Sequence, residues 1–261
     1  MAQKSAAERL FWMLGVERTD DVLDLGCGTG HLAQEIRVLT DGRVVGIDLS
    51  PEMIALARQA APATIEFVTG DVHALDMPEA FDVILSNSAF QWFKDGELAL
   101  RNCLAALRPG GRMAMQAPAR QEYCPQFVHA VARLAGDPRT AETWSHFRTP
   151  WTFYETGEEY GRLFEAAGFS VVAAEMEELR EHATPERALE MFESGAAAGY
   201  LNPECYDAPL PAGYAQAARE LILDDLSSRA GGDGLVELLF SRVYVLARKP
   251  DGQDRGVPQG Q

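Results

Sequence analysis

The chain reads as an α/β protein built on an open, doubly wound, mostly parallel sheet. Two observations carry that reading. Between residues 20 and 117, short apolar runs of strand length alternate with amphipathic helical stretches. The loop after the first run, Asp24-Leu25-Gly26-Cys27-Gly28-Thr29-Gly30, puts three glycines where a strand gives way to a helix. Crossovers between parallel strands are right-handed, so helices cover both faces of such a sheet.

Taken in order, VLDLG (22–26) is the first strand, followed by a helical pattern through Leu32, Ile36 and Leu39. RVVGID (43–48) is the second strand. Ser50 and Pro51 then open a helix, the hydroxyl as cap and the ring at the first helical position. TIEFVTG (64–70) and FDVILSN (81–87) are the third and fourth strands, and a helix from about 95 to 107 follows. The turn Arg108-Pro109-Gly110-Gly111 leads into the fifth strand, RMAMQAP (112–118). Residues 156–168 form a helix with Thr156 at its start and Gly168 at its end, and SVVAAEMEEL (170–179) is the sixth strand. Residues 184–230 hold two helices split by the Pro- and Gly-rich stretch 202–213, and LLFSRVYVLARK (238–249) is the seventh strand. Two irregular insertions, 119–155 and 184–234, are expected to fold as a helical cap and substrate region. Residues 1–118 form the ligand-binding half of the sheet domain, with 156–183 and 235–249 completing it. The polar end, 250–261, is expected to be a disordered tail.

Composition narrows the function classes. A chain of 261 residues with 47% apolar and 24% charged residues is neither disordered, fibrous nor a disulfide miniprotein. Its net charge of -16 repels phosphate backbones and anionic lipid surfaces, so neither nucleic acid nor a membrane is the expected partner. No apolar run is long enough to span a bilayer, and the opening MAQKSAAERLFWML lacks a cleavable signal pattern. Cys27, Cys103, Cys124 and Cys205 form no CxxC pair and have no zinc-type spacing, which points to a reducing cytoplasm and no metal site. No oligomer signal stands out, so a monomer or weak dimer is expected.

Open parallel sheets bind ligands beyond the carboxyl ends of their strands, where strand order reverses. Asp48 ends the second strand 22 residues after Gly26, where a carboxylate can grip both hydroxyls of a ribose. A dinucleotide fingerprint would need a glycine at the sixth position from Gly26, but His31 stands there and no basic phosphate clamp lies nearby. A nicotinamide dehydrogenase is therefore disfavoured.

VLDLGCGTG (22–30) resembles the first motif of class I S-adenosylmethionine-dependent methyltransferases. So, in the family's order, do Gly46-Ile47-Asp48 with Ser50-Pro51-Glu52-Met53, Gly70-Asp71-Val72, FDVILSNSAFQW (81–92) and LRPGGRM (107–113). SNSAFQW, the MQAP ending of the fifth strand and the closing FSRVYVLARK are most similar to the trans-aconitate and malonyl-carrier-protein methyltransferase group. The resemblance implies a Rossmann-like seven-stranded fold that binds S-adenosylmethionine and releases S-adenosylhomocysteine. It places Gly26, Gly28 and Gly30, with the backbone of Cys27, against the methionine and ribose parts, and Asp24 near the methionine ammonium. Asp48 would bind the ribose hydroxyls, Leu49 and Met53 would flank the adenine, and Asp71 and Val72 would meet its amino group and ring. Asn87, Ser88 and Phe90 would line the sulfonium side, with Trp92 facing the substrate.

Within 119–155, Arg148 and Tyr154 are candidate substrate contacts, because a guanidinium pairs with a carboxylate and an aromatic ring walls a pocket. His31 is the candidate general base. The expected activity is methylation of a small molecule, first of a carboxylic acid oxygen. Such an acceptor is already ionised at pH 7 and needs no base. Methylation of nitrogen or carbon in a secondary metabolite, or non-catalytic binding of S-adenosylmethionine, are the alternatives. About 20 residues precede the first strand, so the arm that covers the cofactor in the family is expected to be short.

Overall fold

The computed structural model describes residues 2–251, so the expected tail lies almost wholly outside the described residues. In chain order the elements are α1 (Ala2–Leu14), β1 (Val22–Leu25), α2 (His31–Leu39), β2 (Val44–Asp48), α3 (Pro51–Ala60), β3 (Glu66–Thr69), β4 (Phe81–Asn87), α4 (Gly96–Ala106) and β5 (Leu107–Pro118). There follow α5 (Pro125–Ala132), α6 (Ala141–Trp144), α7 (Gly157–Ala166), β6 (Ser170–Ala183), α8 (Pro185–Glu193), α9 (Ala197–Tyr200), α10 (Tyr214–Ser228) and β7 (Val236–Arg248).

The seven strands form one sheet in the order β3-β2-β1-β4-β5-β7-β6. β1 pairs in parallel with β2 and β4, β2 with β3, and β4 with β5. Along β5 and β7 the pairing runs the other way: Lys249 donates to Gly111, and Ala119 to Ser241, so one strand recedes as the other advances. Strand order reverses between β1 and β4, the two central strands whose runs VLDL and VILS are buried.

The chain divides into two compact units. Of the described residues, the first comprises 2–118, 154–177 and 243–251, the second Ala119–Phe153 and Glu178–Arg242. In the first unit Leu10, Leu14, Val22, Ile36, Ile54, Phe67, Val83, Leu85 and Tyr244 pack in one apolar cluster. Local chemistry sets its element starts. Ser50 accepts the Met53 amide ahead of Pro51, Asp95 accepts the Leu98 amide, and Thr156 with Glu159 closes a reciprocal capping box. The second unit is built around Phe127, Leu134, Phe192, Ile222, Leu226 and Leu238.

Four features differ from the sequence reading, the first being the short helix α9, which stands beside the two helices expected in 184–230. Helix α1 was not foreseen; it buries Leu10 and Leu14 while Trp12 stands 82% exposed. The turn at Arg108–Gly111 lies inside β5, because Gly110 bonds to Lys249 and keeps the segment in the sheet. The extra residues are absorbed as an irregularity, with Phe81 opposite Leu107 and Val83 already opposite Arg112. Strand β6 runs on to Ala183. Among the described residues no helix is long and apolar enough to cross a membrane.

Candidate active site

The glycine loop is clipped to the end of β2, since the amides of Gly26 and Cys27 both donate to the Ile47 carbonyl at 2.8 and 3.0 Å. Gly26 has a φ of +74°, and a Cβ there would lie 2.3 Å from the Cβ of Ala89, just after β4. Only glycine lets the loops after β1 and β4 come together at the reversal of strand order. At Gly28, by contrast, an added Cβ would meet nothing within 4 Å, so open space lies over that part of the loop. The Gly28 amide donates to Asp48 Oδ2 and the Ser50 amide to Asp48 Oδ1, both at 2.9 Å. Two backbone donors thus fix the carboxylate at the end of β2, and each oxygen keeps a lone pair for a hydroxyl.

Asp24 lies on β1 opposite Gly46 and Leu85 and is 1% exposed. Burial first, and the charge of Asp48 second, push its carboxyl up to about 7; the Ala33 amide pulls the other way. Its Oδ2 is buried and without a hydrogen-bond partner, as are Ser86 Oγ, Asn87 Oδ1 and Gln91 Oε1. Unpartnered acceptors in the interior are costly unless a ligand supplies donors or positive charge. Cys27 contributes backbone only: burial and the nearby aspartates push its thiol well above the ordinary range.

Beyond Asp48, Leu49 is 69% and Met53 38% exposed, an apolar surface next in the chain to that carboxylate. Asp71 caps the 3-10 turn Val72–Ala74, in which Val72 is buried. The His73 amide, chiefly, holds its carboxyl below the usual range, with the His73 ring adding to it. Ser88 has a φ of +56°, rare for a residue with a side chain, and is held by three bonds. Its amide donates to the Gln116 carbonyl at 2.8 Å, its hydroxyl to Gln116 Oε1 at 3.0 Å, and its carbonyl accepts from Gln91 at 2.8 Å. Gln91 and Gln116 were missed as site residues. Their signal is a glutamine buried in an otherwise apolar run, as in RMAMQAP.

The remaining expected site residues are placed differently. His31 opens α2 with its side chain 78% exposed and paired with Glu35 at 3.1 Å. Phe90 is buried in packing, its ring 5.3 Å from that of Phe93 and 6.2 Å from those of Tyr160 and Phe164. Trp92 ends the 3-10 turn Phe90–Trp92. Tyr154 packs edge-on against Tyr160 at 5.0 Å in the first unit. Arg148 belongs to the second unit, where it is exposed and paired with Asp207 at 2.5 Å. The four thiols are free and buried.

Comparison with known proteins gives a consistent assignment. Residues 17–168 match the model of a methyltransferase domain family. A trans-aconitate 2-methyltransferase of Mycobacterium sp. (strain KMS) is 31% identical over 242 residues, covering 90% of both chains. A malonyl-[acyl-carrier protein] O-methyltransferase of Acetivibrio thermocellus is 33% identical over 116 residues, 43% of this chain and 41% of that one. In four of the curated relatives the chain spans only 41–62% of their length. The fold also matches the Haemonchus contortus phosphoethanolamine N-methyltransferase 2 solved in complex with S-adenosyl-L-methionine. That likeness has a TM-score of 0.56 at 18% identity and covers 94% of this chain and 52% of the other.

Proposed function

The chain belongs to the methyltransferase domain family, and on that premise we propose that it transfers the methyl group of S-adenosylmethionine to a carboxylate oxygen of a small organic acid. The observation that carries the cofactor assignment is the buried Asp24 carboxylate with its unpartnered Oδ2. An ammonium group answers that need, and a pyrophosphate would aggravate it. When bound, the cofactor supplies a methyl group activated on a sulfonium. Gly26, Cys27 and Gly28 would hold its amino-acid and ribose portions, Asp48 the ribose hydroxyls, Asp71 the adenine amine, and Leu49, Met53 and Val72 the ring faces. Asn87 and Ser88 would line the sulfonium side, where the unpartnered Asn87 Oδ1 offers negative potential to a cation.

What the chain's own residues contribute is alignment and exclusion of water, since methyl transfer is a displacement governed by approach geometry. A carboxylate acceptor is ionised at pH 7 and asks for no proton removal. The exposed His31–Glu35 pair agrees with a reaction that uses no general base. The acceptor class is supported by the two relatives named for carboxylic acids, trans-aconitate and malonyl. Within the first unit, Trp92 and Tyr154 are the acceptor contacts of this reading; Arg148, exposed in the second unit and paired with Asp207, has by itself the chemistry to pair with a carboxylate.

The test is incubation with S-adenosylmethionine carrying a labelled methyl group and a panel of di- and tricarboxylic acids that includes trans-aconitate. Expected is label in a base-labile ester with one S-adenosylhomocysteine released per ester. Label that resists alkaline hydrolysis would move the acceptor to nitrogen or carbon. Cofactor binding without turnover on any acceptor class would leave a binding protein.

A further inference from the structure

The carboxylate proposed to meet the adenine amine is not free to choose its orientation, and the residue that restrains it is His73. Asp71 Oδ1 accepts two bonds from His73, one from its backbone amide at 2.9 Å and one from ring Nδ1 at 2.6 Å. The far edge of the same ring, Nε2, accepts the backbone amide of Asp95 at 3.2 Å. A backbone amide can only donate, so Nε2 must present its lone pair and Nδ1 its proton. The ring is itself fixed. Asn102 on α4 donates from Nδ2 to the carbonyls of Val72 and His73, both at 2.9 Å, and Phe93 packs edge-on at 6.3 Å. Asp95 in turn caps α4 through the Leu98 amide, so the relay is anchored on a helix end.

Oδ1 is therefore occupied by two donors, while Oδ2 has no partner among the described residues. Building on the cofactor reading above, we infer that His73 is a positioning residue. It aims Asp71 Oδ2 at the exocyclic group of the bound purine, and so makes the site select a 6-amino over a 6-oxo purine. The chemistry is direct: an amine donates to the fixed oxygen, whereas a 6-oxo group sets an acceptor against it. A site built to satisfy a donor rejects the analogue lacking one more strongly than packing alone can. Without the His73 ring, Oδ1 keeps only the bond from the backbone amide of residue 73, and the carboxylate, 47% exposed, can turn about it toward solvent or toward Lys94, whose charge already acts on it. The oxygen would then no longer be held where it discriminates.

The experiment compares binding of S-adenosylhomocysteine and S-inosylhomocysteine to the wild type, His73→Leu and His73→Gln by titration calorimetry. Wild type is expected to prefer the adenosine compound by roughly tenfold or more, the worth of one hydrogen bond to a charged group. His73→Leu loses most of that preference by weakening the adenosine compound, with the inosine compound little changed. His73→Gln, whose amide can donate to Asp71 and accept from Asp95, recovers it. Imidazole nitrogen spectra of the wild type, which need no variant to fold, show protonated Nδ1 and unprotonated Nε2. A His73→Leu protein with full wild-type preference overturns the inference, and so does a ring protonated at Nε2 alone. If the wild type binds neither nucleoside, the cofactor reading itself fails and the inference falls with it.

Discussion

Buried polar groups left without partners gather at one end of the first unit, whereas the second unit pairs its own except for the Tyr123 hydroxyl. At the glycine-loop end of the first unit, Asp24 Oδ2, Asn87 Oδ1 and Gln91 Oε1 are buried and unanswered, Leu49 lies open to solvent, and Ser88 is held at a positive φ. In the second unit, Tyr206 donates to the Tyr200 carbonyl at 2.6 Å and shares a 2.9 Å bond with Tyr214. Asp225, 3% exposed, is met by Arg229 at 2.6 Å and Arg133 at 3.4 Å. Rings there follow one another in packing: Trp144 stacks on Phe147 at 4.8 Å, Trp151 meets Tyr200 at 4.8 Å, and Phe192 stacks on Tyr200 at 6.0 Å. The contrast teaches where to look for ligands. Residual bonding capacity and solvent-facing apolar side chains mark a surface built for something else to complete, whereas paired polar groups inside an aromatic core mark scaffold.

The comparison can be broken from either side. The largest effect is expected in the second unit: Phe192→Ala removes a fully buried ring and should cost about 3–5 kcal/mol of stability. Chemical denaturation reads that loss, and the affinity of the folded variant for S-adenosylhomocysteine should stay at the wild-type value. A selective loss of nucleoside binding would mean the aromatic core is more than scaffold.

The smaller effect belongs to Asp24 and depends on pH. Its carboxyl sits at about 7 in the folded chain against an ordinary 3.8, so between those values the folded chain holds a proton that the unfolded chain has released. Stability contributed by this group therefore falls as pH rises through that window and is level above it. A cation bound against Asp24 favours the ionised form, so affinity for S-adenosylmethionine should rise with pH up to about 7, by as much as roughly tenfold per unit. In Asp24→Asn both slopes should flatten. A wild-type affinity that does not change between pH 5.5 and 7.5 would remove Asp24 from the ligand's surroundings.

How much of this was legible in the sequence depends on how local each cause is. Most strands of the first unit are apolar runs closed by Gly, Pro, Asp or Asn, and the helices that separate most of them favour parallel order. The glycine loop and Asp48 were readable because backbone geometry at Gly26 and the carboxylate at a strand end are local requirements. Helix α1 was missed although Ala7, Leu10 and Leu14 already carry helical spacing, since only packing against the sheet reveals which face is buried. The Arg108–Gly111 turn was misplaced because its bond to Lys249 comes from more than 130 residues away in the chain. His31 was chosen for its chemistry and its place at a helix start; that it turns outward to Glu35 is a matter of helix face. Gln116 and the His73 relay depend on contacts with segments more than 20 residues away in the chain, whereas Gln91 bonds locally to Ser88 and is marked only by its burial.

The most direct test of the central claim is thermal melting of the full chain with S-adenosylhomocysteine, S-adenosylmethionine and NAD in turn, with Asp48→Ala as control. Ligand at 100 times its dissociation constant adds about 2.7 kcal/mol, a rise of a few degrees for a chain of this size. The account predicts that rise with both sulfur nucleosides, none with NAD, and its loss in Asp48→Ala. Stabilisation by NAD alone, or by no ligand at all, would contradict it.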